Sequence, residues 1–265
     1  MRNFPAPRKR FGQHFLSDAS VIQSIVSGIA PTRTDHLVEI GPGRGALTHA
    51  LLRVCGRLDV VEIDRDLIAS LRALSLSHPQ FQVHQADALT FDFASLSGDS
   101  VPLRLVGNLP YNISTPLIFH LLSAADKVQD MHFMLQKEVA DRLCASPGTK
   151  DYGRLSVMVQ YQCQTETLFD VGPEAFDPPP KVNSSVIRLT PFRRKPQVAD
   201  SFEHFSKLVK TAFSQRRKTL RNNLKNMTDL SLIADYPLDL QRRPEQVSVA
   251  EFVGLSNFIF NGMLK

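Results

Sequence analysis

The chain has 265 residues, 43% of them hydrophobic, with no apolar run long enough to span a bilayer and no signal-peptide core after its basic start, MRNFPAPRKRFGQHFL; a soluble cytoplasmic protein of one large α/β domain and a small appendage is expected. Cys55, Cys144 and Cys163 lie far apart without C-x-x-C spacing, which argues against a zinc site or a disulfide framework, and no metal is expected. The net charge of +5, from 31 Lys and Arg against 26 Asp and Glu, is modest and becomes informative only through its distribution.

A first helix is predicted after Ser17, which reads as its N-cap, with Val21, Ile22, Ile25, Val26 and Ile29 on one face. Strands are predicted at Leu37–Ile40, Leu58–Ile63, Phe81–Gln85, Leu103–Val106 and Met131–Leu135. Between them fall helices at Ala46–Val54, Arg65–Leu74 and near Pro116–Leu122, the last with proline in its first turn. Such alternation implies βαβ units and a mostly parallel sheet flanked by helices. At Pro191–Pro196, PFRRKP, two prolines flank three charges and read as a linker. Beyond it, Phe202, Phe205, Leu208, Val209, Ala212 and Phe213, then Phe252, Leu255, Phe258 and Ile259, keep helical spacing with no convincing strand. The expected organisation is an α/β, Rossmann-like domain over 1–192 and a small all-α C-terminal domain over 193–265.

Glu39-Ile40-Gly41-Pro42-Gly43-Arg44-Gly45 joins the first of these strands to a helix. Glycines suit a tight turn that lets a ligand approach the backbone. Glu62 ends the next strand, about 20 residues on, where a carboxylate can accept ribose hydroxyls. Gly41, Gly43 and Ala46 also satisfy G-x-G-x-x-A, so the glycines alone leave NAD and S-adenosylmethionine both open. Glu39, directly before the loop, favours the second: a carboxylate there suits a cationic cofactor with an ammonium group and repels a pyrophosphate. Asp87, after the third predicted strand, can accept from an adenine amino group.

Asn108-Leu109-Pro110-Tyr111 follows the fourth predicted strand. The exocyclic N6 of adenine is a weak nucleophile because its lone pair is delocalised into the ring. A site that accepts hydrogen bonds from both N6 hydrogens localises that pair. Asn108 Oδ1 and the Leu109 carbonyl can do so, Pro110 fixes the backbone direction, and Tyr111 offers a face to the base. An Asn-Pro turn ahead of a helix is the plainer alternative.

From Arg193 to Lys225 there are ten basic residues and two acidic ones, a net +8 that leaves the rest of the chain at −3. A basic appendage on a mildly acidic body suits a polyanion. A single helix is predicted over Gln215–Lys225, with Arg216, Arg217, Lys218, Arg221 and Lys225 exposed and Leu220 and Leu224 turned inward; a merely solvated face is the alternative.

The ordered motifs FGQHFL (Phe11–Leu16), EIGPGRGALT (Glu39–Thr48), VEIDRDL (Val61–Leu67), GNLPYNIS (Gly107–Ser114), LQKEVADRL (Leu135–Leu143), AFDPPPKVNSSV (Ala175–Val186) and FSQRRKTLRNNL (Phe213–Leu224) cover nearly the whole chain. In these the sequence resembles the KsgA (RsmA) family of small-subunit ribosomal RNA adenine dimethyltransferases. The resemblance implies a Rossmann-like S-adenosylmethionine-dependent methyltransferase. It would dimethylate the N6 amines of two adjacent adenosines in the 3′-terminal hairpin of 16S ribosomal RNA during small-subunit biogenesis. It also implies that His14 and Leu16 close over the cofactor, with Gly41, Glu62, Asp87 and Asn108 completing the site beside the Glu39 and Gly43 read from the loop itself, and that Phe176 and Tyr111 sandwich the base. Many relatives have Asn where this chain has His14. The partner implied is the small ribosomal subunit or its precursor, met by a monomer. Three other readings compete: a macrolide-resistance-type methyltransferase of large-subunit RNA, a non-catalytic RNA-binding assembly factor on this fold, and an NAD-dependent reductase, for which no hydride-relay residue is evident.

Overall fold

The computed structural model describes residues 13–98, 101–215, 217–228, 230, 233 and 236–263. The described chain forms β1 (Phe15–Leu16), α1 (Ala19–Ile29), β2 (His36–Ile40), α2 (Ala46–Leu51), β3 (Arg57–Glu62), α3 (Arg65–Ser75), β4 (Phe81–Gln85), β5 (Leu103–Asn108) and α4 (Ser114–Leu122). It continues with β6 (Val128–Gln136), α5 (Lys137–Cys144), α6 (Arg154–Gln160), β7 (Cys163–Val171), β8 (Phe176–Asp177), β9 (Ser184–Pro191), α7 (Phe202–Ala212), α8 (Leu220–Leu224) and α9 (Val249–Met263). Among the described residues no helix is long and apolar enough to cross a membrane.

Seven strands make one sheet in the order β4-β3-β2-β5-β6-β9-β7. The first five run parallel, and β9 joins β6 antiparallel. This is the expected Rossmann-like α/β sheet. From β2 the chain proceeds to β3 and β4 on one side, then returns to β5 on the other. That reversal opens a crevice at the carboxyl ends of β2 and β5, where open α/β sheets bind ligands. β2 is buried at every residue and β5 nearly so, as in sheets covered on both faces.

The helices follow their apolar faces. Ile25, Val26 and Ile29 of α1 are buried with Leu37, Leu58, Val60 and Val106 of the sheet and Leu47 and Leu51 of α2. The cap of α1 is Asp18, not Ser17: its carboxylate accepts the amides of Ser20 at 2.7 Å and Val21 at 3.1 Å. Ser17 instead binds the Ala175 carbonyl through its own N–H at 2.8 Å, which aligns the chain for the β1–β8 pair, Phe15 opposite Asp177 and Leu16 opposite Phe176.

The chain divides into two compact units, one of residues 1–140 and 165–191, the other of 141–164 and 192–265. The proposed boundary at 192/193 places 141–164 with the first domain, whereas contacts gather it into the second unit. There Tyr152, Val157, Met158 and Tyr161 bury against Phe205, Leu208, Val209 and Ala212 of α7 and Phe252, Leu255 and Ile259 of α9. Phe202 and Phe258, expected on the same helical faces, stay exposed.

The helix expected over Gln215–Lys225 is shorter. α8 begins at Leu220, because the Thr219 side chain caps it by accepting from the Asn222 amide. The amides of Leu220 and Arg221 bond the carbonyls of Arg242 and Leu240 at 2.8 and 2.9 Å rather than a preceding turn. Leu220 and Leu224 are fully buried, and Arg217, Lys218, Arg221 and Lys225 are exposed; Arg216 lies outside the described residues.

Candidate active site

A cavity of about 200 Å³ opens at the carboxyl ends of β2, β3 and β5. Its floor is the loop between β2 and α2. Gly41, Gly43 and Gly45 take φ of +67°, +58° and +83°, a region costly for residues with a Cβ. A Cβ on Gly43 would sit 2.9 Å from the Phe15 ring, so this glycine also makes room for β1.

Glu62, at the end of β3, is 5% exposed and accepts the amides of Gly43 at 3.1 Å and Asp64 at 2.8 Å. It thus shapes the glycine loop as well as facing the cavity. Burial, helped by the charge of Asp64, raises its pKa against the pull of those amides. Glu39, 2% exposed, receives the Thr48 hydroxyl at 2.6 Å. Its pKa rises to about 7, first from burial and then from the neighbouring Glu62 charge, with Thr48 opposing. Among the described residues neither carboxylate has a cationic partner. Two buried acids without a counter-charge fit a ligand that brings its own positive charge. Asp87 is exposed at the cavity wall and caps the turn after β4 by accepting from the Leu89 amide at 2.9 Å.

On the opposite wall the Asn108 side-chain N–H donates to the His14 carbonyl at 2.9 Å. The Leu109 amide is tied to the Met134 carbonyl at 3.1 Å, and the Pro110 carbonyl closes a turn by accepting from Ile113. Asn108 Oδ1 and the Leu109 carbonyl accept no hydrogen bond among the described residues. The Tyr111 hydroxyl bonds Ser184 Oγ at 2.8 Å, and the Tyr111 ring stacks on His14 with centroids 5.8 Å apart and planes 24° apart. Nδ1 of His14 donates to the Pro178 carbonyl at 2.7 Å. His14 therefore reaches Asn108 through its backbone and Tyr111 through its ring. Leu16 lines the cavity too.

Phe176 does not join this group. It is 3% exposed, packed in the core with Leu16, Ile25, Met134 and Val186, and does not line the cavity. The expectation that it faces a base beside Tyr111 is not met by this placement: its backbone pairs with Leu16, and its side chain is buried in the core.

The sequence reading missed several cavity residues. Arg44 lies 4.3 Å over the Phe15 ring and pairs with Asp177 at 2.9 Å, and Gln13 donates to Asp64 at 2.9 Å. Both hold the N-terminal segment over the loop, and neither has a local signature. His132 also lines the cavity, 2% exposed, with burial pushing its pKa down to about 4.

The family model for ribosomal RNA adenine dimethylases matches residues 6–259. The chain is 57% identical over 253 residues to a protein of Saccharophagus degradans, covering 96% of this chain and 94% of that one. It is 55% identical over 250 residues to a protein of Pseudomonas aeruginosa, covering 94% and 93%. Both relatives are named ribosomal RNA small subunit methyltransferase A. Among solved structures, a dimethyladenosine transferase from Plasmodium falciparum superposes with a TM-score of 0.80 at 26% identity, covering 91% of this chain and 96% of that one. The 23S rRNA methyltransferase ErmE shares the fold, with a TM-score of 0.72 at 24% identity over 93% and 99% of the two chains. The chain belongs to the ribosomal RNA adenine dimethylase family.

Proposed function

We propose that this protein transfers methyl groups from S-adenosylmethionine to the N6 amines of two adjacent adenosines in the 3′-terminal hairpin of 16S ribosomal RNA, each twice. It acts in the cytoplasm, as a monomer, on the small ribosomal subunit or its precursor. The observation that carries this reading is the convergence on one cavity of two buried, unpaired carboxylates and the Asn108–Tyr111 turn with its two available acceptors.

Glu39, Glu62, Asp87 and the glycine loop would hold the cofactor, the first by its charge, the second at the ribose, the third at the adenine amine. When bound, the cofactor supplies an electrophilic methyl on a sulfonium. The chain's part is placement. An adenine leaves its stack to enter the cavity, Tyr111 gives it a surface to lie on, and Asn108 Oδ1 and the Leu109 carbonyl accept from N6. Accepting both hydrogens draws the nitrogen toward tetrahedral geometry and localises its lone pair. Once alkylated, N6 carries an acidic proton that water can take. Positioning and fixed dipoles thus do most of the catalysis.

RNA is held by the second unit. Arg217, Lys218, Arg221 and Lys225 offer charge to phosphates, which adds affinity without sequence information. The test is to incubate the protein with labelled S-adenosylmethionine and unmethylated small or large subunits, then map the modified nucleosides. Dimethyladenosine confined to the 3′ hairpin of small-subunit RNA supports the reading; label in large-subunit RNA refutes it.

A further inference from the structure

Thr48 is fully buried in α2, does not line the cavity, and has no part in the function described above. A buried threonine in a helix commonly returns its hydroxyl to the carbonyl four residues back. Here the hydroxyl reaches nine residues back, to Glu39 Oε2 on β2, at 2.6 Å. That length is typical of a hydroxyl donating to an ionised carboxylate. Oε1 of the same carboxylate accepts nothing among the described residues, and Glu39 is one of the residues that line the cavity.

We infer that Thr48 is a positioning residue for the cofactor: its hydroxyl pins one oxygen of Glu39 so that the other faces the amino group of the bound sulfonium nucleoside. The inference rests on Glu39 holding that cationic group. Thr48 has a second effect on the same atom. Burial and the nearby Glu62 both resist ionisation of Glu39, and the Thr48 hydroxyl is the side-chain hydrogen bond that opposes them. Removing it leaves the carboxylate free to rotate and harder to ionise.

The test measures the affinity for S-adenosylhomocysteine by calorimetry across pH, with the melting temperature of the ligand-free protein beside it. Thr48→Val keeps the shape and deletes the donor; Thr48→Ser keeps the donor. Thr48→Val is expected to weaken binding about tenfold at neutral pH and to move the midpoint of the affinity–pH curve upward, while Thr48→Ser restores both. Should Thr48→Val not fold, Thr48→Ala also lacks the donor and is read the same way. Glu39→Gln separates the two layers. If it binds as tightly as wild type, Glu39 does not hold the cation and the inference falls with it. If Glu39→Gln binds weakly but Thr48→Val keeps wild-type affinity and midpoint, Thr48 is core packing and only the inference is overturned.

Discussion

The side-chain amide of Asn108 donates to the backbone carbonyl of His14 across 2.9 Å, joining the end of β5 to the segment that enters β1. With the N–H half so engaged, the oxygen half of the amide is left for a ligand. Asn108→Ala is expected to lower methyl transfer by a factor on the order of 10², the usual cost of losing one preorganised polar contact to a reacting group. RNA affinity should stay nearly unchanged. Single-turnover label transfer and filter binding read the two quantities, and a variant that turns over at the wild-type rate would remove Asn108 from the chemistry.

Glu62 plays two parts, since its carboxylate accepts the Gly43 and Asp64 amides while lining the cavity. Glu62→Ala should weaken S-adenosylhomocysteine binding by about 1.5–3 kcal/mol and also loosen the glycine loop, seen as faster amide exchange at Gly43. Unchanged affinity by calorimetry would show that the carboxylate serves the loop alone.

Glu39 makes the free protein's stability depend on pH. Its folded pKa, about 7, exceeds the ordinary value of 4.5. The stability linked to the protonated form is therefore complete below 4.5 and is lost as pH rises through 7. Glu62, also raised, adds in the same direction. Thermal melts should show the ligand-free protein weakening across this window, less so for Glu39→Gln. S-adenosylhomocysteine, which brings an ammonium group, should raise the melting temperature more at about pH 8 than at about pH 6. Equal shifts at both would contradict a buried acid awaiting a cation.

Tyr111 and Phe176, expected as a pair, should behave differently. Tyr111 lines the cavity and Phe176 fills the core. Tyr111→Ala should slow transfer, stacking being worth roughly 1–3 kcal/mol per base. Phe176→Ala should cost about 3–5 kcal/mol of stability and alter activity only through unfolding. If Phe176→Ala melts like wild type yet transfers slowly, its ring reaches the base after all.

The parallel half of the sheet was legible because buried strands read as short apolar runs: Leu37–Ile40 and Leu58–Ile63 emerge as β2 and β3 almost unchanged. β7 escaped notice because Gln164, Thr165, Glu166 and Thr167 leave no apolar run, and β1 and β8 because two residues carry no periodicity. Within the candidate site, Glu39, Glu62 and Asn108 could be read from their places at the carboxyl ends of strands. The Thr48–Glu39, Asn108–His14 and Arg44–Asp177 contacts join positions 9, 94 and 133 residues apart, and no local pattern encodes them. Phe176 shows the reverse limit, since a motif gives a residue's neighbours in sequence but not the layer its ring enters.

The basic stretch carries the last prediction. α8 is one short helix capped by Thr219, so Arg217 and Lys218 lie ahead of it, while Arg221 and Lys225 lie in it and at its end. All four are exposed, and the inward side is held by Leu220, Leu224 and the Asn223 amide, which donates to the Gln215 carbonyl at 3.2 Å. Charge can therefore be reversed on the outside without touching the packing. Arg217→Glu with Arg221→Glu is expected to weaken subunit binding and to flatten its salt dependence, each lost phosphate contact reducing the log–log slope by roughly 0.7–0.9. S-adenosylhomocysteine affinity should not change, because the cavity proposed for the cofactor is lined only by residues of the other unit. The melting temperature should hold as well, since exposed charges of this kind contribute little to stability. Binding to small subunits at several salt concentrations decides the matter: an affinity and slope equal to wild type would make this a solvated surface with no RNA to meet.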